Sequence, residues 1–179
     1  DTPALDVTLA KADLAMRVKT ANAEWQYAPC DDRDIVMPDR AIGLLTAGTR
    51  VVEEFSTGYS VGLLAIFSEF ADAPGLEVRL CLNVIGNVLV CELVATDEGQ
   101  TYSEVKWPKA IKQHDLVNSR TMYMPWWGHL RNGVRAAGPG VVAIIETPDD
   151  AGVEYTHAPG GPTVVAPYWA PSLGKMRCQ

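Results

Sequence analysis

The stretch "LEVRLCLNVIGNVLVCELVAT", residues 76–96, limits the possible folds of this 179-residue chain more than any other segment. Two β-rich runs flank Gly86-Asn87, a pair that tolerates the positive φ angles of a two-residue hairpin turn. That turn sets Val84 opposite Leu89, Leu82 opposite Cys91, Leu80 opposite Leu93 and Val78 opposite Ala95. All four pairs are apolar and share one face, while the other face carries Glu77, Arg79, Cys81, Asn83 and Glu92. Such alternation belongs to a sheet with one buried and one half-solvated face, where a one-residue slip would turn the apolar set into water. The register also places Cys81 and Cys91 on opposite faces, so they should not be bridged to each other.

The same period of two recurs along the chain. "LDVTL" (5–9) alternates, and so does "DLAMRVKT" (13–20), with Leu14, Met16 and Val18 on one face and Arg17 and Lys19 on the other. "ANA" breaks that pattern and "EWQYA" (24–28) reads as the return strand of a short hairpin. Further strands are expected at 41–46, 49–55, 58–68, 140–146 and 162–168. A helix over 41–55 is the alternative there, weakened by Gly43 and Gly48, and Pro108 interrupts any helix through "SEVKWPKAIKQ". With 15 Gly and 12 Pro punctuating short runs, the chain reads as all-β: an antiparallel, supersandwich-like β-sandwich with few or no long helices. Its length suits one domain spanning 1–179, able to bury roughly 70% of its unfolded surface.

Several function classes fall away. A net charge of -7 with no basic block argues against nucleic acid or an anionic membrane surface as partner. The longest apolar run, "VGLLAIF" at 61–67, has the length of a buried strand rather than of a membrane span. Cys30, Cys81, Cys91 and Cys178 form no CxxC pair, and His114, His129 and His157 are too scattered for a zinc motif, so no metal or other cofactor is expected. GxSxG, GxGxxG and GxxxxGK[ST] are all missing, which disfavours a serine nucleophile and a phosphate loop. Beginning at Asp1 rather than Met, the sequence reads as a processed chain or a fragment.

What remains is a set of aromatic and acidic residues. In "MYMPWWGHLRNG" (122–133), Trp126 and Trp127 are adjacent and face opposite ways if the segment is extended. An exposed indole beside His129 and Arg131 suits a sugar, whose apolar face stacks on the ring while polar neighbours bind its hydroxyls. The competing reading is a corner where both rings cover core edges or a neighbouring domain. "ETPDDAG" (146–152) offers Glu146, Asp149 and Asp150 as polar contacts or as an acid and a base, though Pro-Asp-Asp-Ala-Gly is also ordinary turn chemistry. "CDDRD" (30–34) lacks the DxDxDG pattern of a calcium loop and reads as a solvated loop.

Taken together, "MPWWGHLRNG" (124–133), "GVVAIIETPDDAG" (140–152) and "APYWAPSLGKMR" (166–177) resemble the N-terminal β-sandwich domain of certain bacterial glycoside hydrolase-like proteins. In that group a galactose-mutarotase-like sandwich precedes a (β/α)8 catalytic barrel. Trp169 to Lys175 looks like the segment leading toward the barrel, and "DLAMRVKTANAEWQY" is similar to the first hairpin of such domains. The resemblance implies a non-catalytic ancillary domain that packs on a C-terminal catalytic domain missing here. It implies no catalytic residue in this chain, and glycan contact through Trp126, Trp127, His129, Arg131, Glu146, Asp149 and Asp150. It also implies that the surface near Trp169 and Leu173 packs on that missing domain, which predicts an exposed apolar patch or self-association in this chain. Two other readings stay open: a free-standing carbohydrate-binding module, and a mutarotase-like enzyme pairing His129 or His157 with Glu146 or Asp149.

Overall fold

The computed structural model describes residues 5–21, 24–86, 88–97, 102–112, 151–157, 163–169 and 175–178. In chain order the strands are β1 (Asp6–Leu9), β2 (Met16–Lys19), β3 (Glu24–Tyr27), β4 (Ile35–Val36), β5 (Ala41–Ile42), β6 (Ala47–Ser56) and β7 (Val61–Phe70). They continue as β8 (Glu77–Ile85), β9 (Val88–Thr96), β10 (Glu104–Val105), β11 (Ile111–Lys112), β12 (Ala151–His157), β13 (Thr163–Trp169) and β14 (Lys175–Cys178). One 3-10 turn, Leu44–Thr46, is the only helical element among the described residues. The all-β expectation therefore holds.

Three antiparallel sheets form, ordered β1-β2-β3-β11, β12-β13-β10-β4-β5 and β14-β9-β8-β7-β6. The third holds the hairpin expected from 76–96, with Val84, Leu82, Leu80 and Val78 opposite Leu89, Cys91, Leu93 and Ala95. Gly86 has φ +59 with open space around it, so the turn uses the left-handed conformation that glycine adopts without a Cβ clash. Neither Cys81 nor Cys91 is in a disulfide, and Cys91 lies on the inward face beside Leu82 with Cys81 on the other.

The core lies where the inward face of this sheet meets the other two. Val78, Leu80, Leu82, Ala65 and Phe67 from β8 and β7 are buried with Met16 and Val18 of β2, and with Ile35, Ile42 and Val105 of the second sheet. Each fully buried aliphatic or aromatic side chain contributes about 1.5–3 kcal/mol relative to exposure. Many contacts of that kind, spread over adjacent strands, hold the sandwich together.

Leu14 is buried with Met16 and Val18, but it precedes β2 in a tight turn, with φ +57 and its N–H donating to the Ala10 carbonyl. The strand expected at 41–46 is only Ala41–Ile42, because the 3-10 turn follows at once, and the helix alternative over 41–55 gives way to the ten-residue β6. The outward face of the third sheet is drier than alternation suggests. There Phe55, Gly62, Asn83 and Val90 line up in one row across four strands, and Val90 is only 1% exposed. A Cβ on Gly62 would collide with the Phe55 ring and the Leu82 carbonyl, so the missing side chain is what lets the ring lie across β7. The strand expected at 162–168 is β13, whereas that expected at 140–146 lies outside the described residues.

Candidate functional site

The main convergence of ionised groups among the described residues lies where the loop before β4 meets the segment after β10. Asp34 is buried completely, so the solvated-loop reading of "CDDRD" is corrected for this residue, while Asp31, Asp32 and Arg33 remain exposed. A carboxylate removed from water costs several kcal/mol unless donors replace the lost hydration. Here they do. Oδ1 accepts from the Asp31 N–H at 3.1 Å and from Lys109 Nζ at 2.8 Å, and Oδ2 accepts from the Leu44 N–H at 3.0 Å. The Asp34 carbonyl accepts from the Lys106 N–H at 2.6 Å, binding the same two segments through the main chain.

Lys109 completes the arrangement by reaching Asp31 Oδ2 at 3.0 Å, its side chain 12% exposed. Burial alone would push its ammonium toward the neutral form, but hydrogen bonds and charge from Asp34 and then Asp31 outweigh that and hold it above the usual lysine range. For Asp31 burial acts upward, and the Arg33 N–H and Lys109 overcome it to leave the carboxyl below its ordinary value. Gly43 lies against this loop, where a Cβ would strike the Asp31 carbonyl.

The neighbouring Cys30 thiol is buried, and burial followed by the Asp34 charge drives it far upward, so it stays protonated and non-nucleophilic. An acid-base pair must reach a substrate. Asp34 is instead satisfied by Lys109 and two backbone donors, and Lys109 by Asp34 and Asp31, which makes them a structural clamp between loops. No group of three His, Cys, Asp or Glu suited to a metal occurs among the described residues.

Two surface features stand apart from the clamp. A shallow depression is lined by Gly75, Glu77, Thr96 and Asp97, near the Tyr102 hydroxyl that donates to the Ala95 carbonyl at 2.8 Å. At the opposite end of the third sheet, two adjacent hairpin turns expose Tyr59, Val61, Ile85 and Val88.

The residues expected to contact glycan, Trp126, Trp127, His129, Arg131, Glu146, Asp149 and Asp150, lie outside the described residues. His157 ends β12, with its backbone opposite Thr163. The acidic stretch "ETPDDAG" runs directly into β12, which starts at Ala151, a strand that its turn-like composition conceals. Sequence reasoning missed the Asp34–Lys109 pair because 75 positions separate its members, and no periodic pattern links residues so far apart.

No protein-family model matches the chain, and neither does any curated protein. Solved structures do match. The α-N-acetylgalactosaminidase NagBb from Bifidobacterium bifidum in its GalNAc complex superposes with a TM-score of 0.82 at 21% identity, covering 100% of this chain and 35% of that one. The Gal-NHAc-DNJ complex of the same enzyme gives a TM-score of 0.82 at 21% identity, with 98% and 34% covered. Its ligand-free form gives 0.76 at 21% identity, with 99% and 34% covered. The chain thus has the fold of one segment of that enzyme and spans about a third of its length.

Proposed function

We propose that this chain is a non-catalytic, ancillary β-sandwich of a carbohydrate-active polypeptide, packing on a glycoside hydrolase domain and contacting glycan. The observation that carries the reading is the match of the whole chain to 35% of an α-N-acetylgalactosaminidase. The family resemblance of "MPWWGHLRNG" and "APYWAPSLGKMR" points the same way, toward a galactose-mutarotase-like sandwich over 1–179 placed ahead of a catalytic barrel. The saturated Asp34–Lys109 clamp supports a structural rather than a catalytic part for the described residues.

On this reading Trp126 or Trp127 stacks on a sugar ring, and His129, Arg131, Glu146, Asp149 and Asp150 bind its hydroxyls. Hydrolysis of an aryl glycoside panel that includes an α-N-acetylgalactosaminide, assayed on the polypeptide from the complete reading frame, tests the hydrolase assignment. Binding of the 179-residue chain to a glycan array tests the contact. Trp126→Ala or Trp127→Ala should weaken that binding about fivefold, equivalent to about 1 kcal/mol of lost stacking. Array binding without hydrolysis by the complete polypeptide would favour a free-standing carbohydrate-binding module, and an array with no hits would remove glycan contact by the chain.

A further inference from the structure

The five exposed large apolar side chains among the described residues are not scattered evenly. Val51 lies mid-strand in β6, but Tyr59, Val61, Ile85 and Val88 gather at one end of the third sheet, with exposures of 95%, 58%, 45% and 41%. The register explains their proximity. Val61 pairs with Val84, and Ile85 pairs with Val88, which sets the β6–β7 turn beside the β8–β9 turn. Val61 occupies the inward side of this rim, Ile85 and Val88 the outward side, and Tyr59 the apex of the turn. Clustered apolar groups of this kind on a soluble surface mark interfaces.

The chemistry of the rim argues against a sugar as its occupant. Of the four side chains only Tyr59 carries a polar atom, a single phenol hydroxyl, whereas a sugar ring needs several donors and acceptors around its stacking face. The nearby hydroxyls of Thr57 and Ser60 are spent on each other at 3.0 Å, and the Ser60 N–H donates to Thr57 Oγ1 at 3.3 Å. An apolar protein surface fits better.

The path of β14 indicates where such a surface would come from. β14 runs antiparallel to β9, with Lys175 opposite Val94 and Cys178 opposite Cys91, so the chain travels toward the rim. Val88 lies three positions beyond Cys91 along β9 (91 − 88 = 3), which is about 10 Å of extended backbone past Cys178. Polypeptide continuing in that direction emerges beside Ile85 and Val88.

We propose that this rim seats a domain carried C-terminally of Cys178 on the same polypeptide, which covers Tyr59, Val61, Ile85 and Val88 with an apolar surface of its own. The inference rests on the reading of the chain as the ancillary part of a larger hydrolase, and it names the surface through which the two parts pack. It adds the hairpin tips to the contact expected near Trp169 and Leu173.

The test uses the polypeptide from the complete reading frame. Tyr59 nitration by tetranitromethane is followed by mass spectrometry and compared with a synthetic peptide of residues 55–62. Tyr59 should react at least about tenfold more slowly in the polypeptide, as expected for a residue inside an interface core. In a Val61→Glu/Val88→Glu double variant, whose substituted positions are exposed in the sandwich, the rate should return to within about twofold of the peptide value while far-UV circular dichroism is unchanged.

Nitration of wild-type Tyr59 at the peptide rate overturns the docking surface, and if glycoside hydrolysis persists the hydrolase reading survives it. Protection that fades on dilution together with a dimer assigns the rim to a second copy and overturns the proposal as well. Protection at all concentrations without hydrolysis of any glycoside keeps the docking surface and removes the hydrolase reading. A reading frame that stops at Gln179 removes both.

Discussion

The third sheet and the clamp around Asp34 are stabilised in opposite ways. In β7 to β9 the stability is distributed: one apolar pair after another repeats along strands of nine or ten residues, and each makes a modest contribution. At the clamp it is concentrated in one buried carboxylate, one ammonium and two backbone donors drawn from three separate segments. A distributed structure degrades gradually when one member is lost, because neighbours relax into part of the space. A concentrated one does not, since the partner left behind is still charged and still buried.

Lys109→Met should therefore be the most damaging single change among the described residues. It leaves the Asp34 carboxylate without its one cationic partner, and the expected loss is about 4 kcal/mol of unfolding free energy in urea titration. A loss below about 1 kcal/mol would mean that water or a rearranged loop solvates Asp34, and the contrast between the two regions would collapse.

The same pair supplies a pH signature. Because Lys109 is held above its unfolded value, its stabilisation is complete below that value and fades as pH rises through the folded one. The stability gap between wild type and Lys109→Met should accordingly hold until the pH nears the unfolded lysine value, about 10.4, and narrow above it. Parallel curves across that window would show that Lys109 is not held as described. Asp31 acts at the other end: its depressed carboxyl contributes above the ordinary carboxylate value and loses that contribution as pH falls through the folded one. Its half-exposed position keeps that effect small.

Within the distributed region the largest response should come from Leu80→Ala, which empties a site 2% exposed in the middle of β8. About 3 kcal/mol is expected, with the register of the hairpin intact, as backbone hydrogen exchange would report. A shifted register would mean that single pairs, rather than the whole alternation, hold the strands. Gly86→Ala should cost least, about 1 kcal/mol, because open space surrounds the position and only the left-handed φ opposes the new Cβ. A neutral result in thermal melts would show that the turn relaxes to another type.

These two regions also differ in how far the sequence discloses them. The β8–β9 hairpin was legible to the residue, since Gly86-Asn87 names the turn and a period of two then assigns every side chain to a face. β4, β5 and β10 were not legible as paired strands. Each is two residues long, and Glu104 meets Val36 across 68 positions (104 − 36), so no local pattern could announce the match. β12 and β14 escaped notice for a related reason: their flanks, "ETPDDAG" and "PSLGK", have the composition of turns, yet β12 pairs with the following β13 and β14 with the distant β9.

Local alternation and turn chemistry thus determined by themselves that this chain is all-β, where its central hairpin folds, and which of its cysteines face apart. Tertiary structure alone decided that Asp34 of an acidic run is buried, that Lys109 answers it, and that four apolar residues meet at the hairpin tips. The physical reason is range. A period of two fixes the relation between neighbours, whereas the cost of burying a charge is offset only when donors far apart in sequence converge on it.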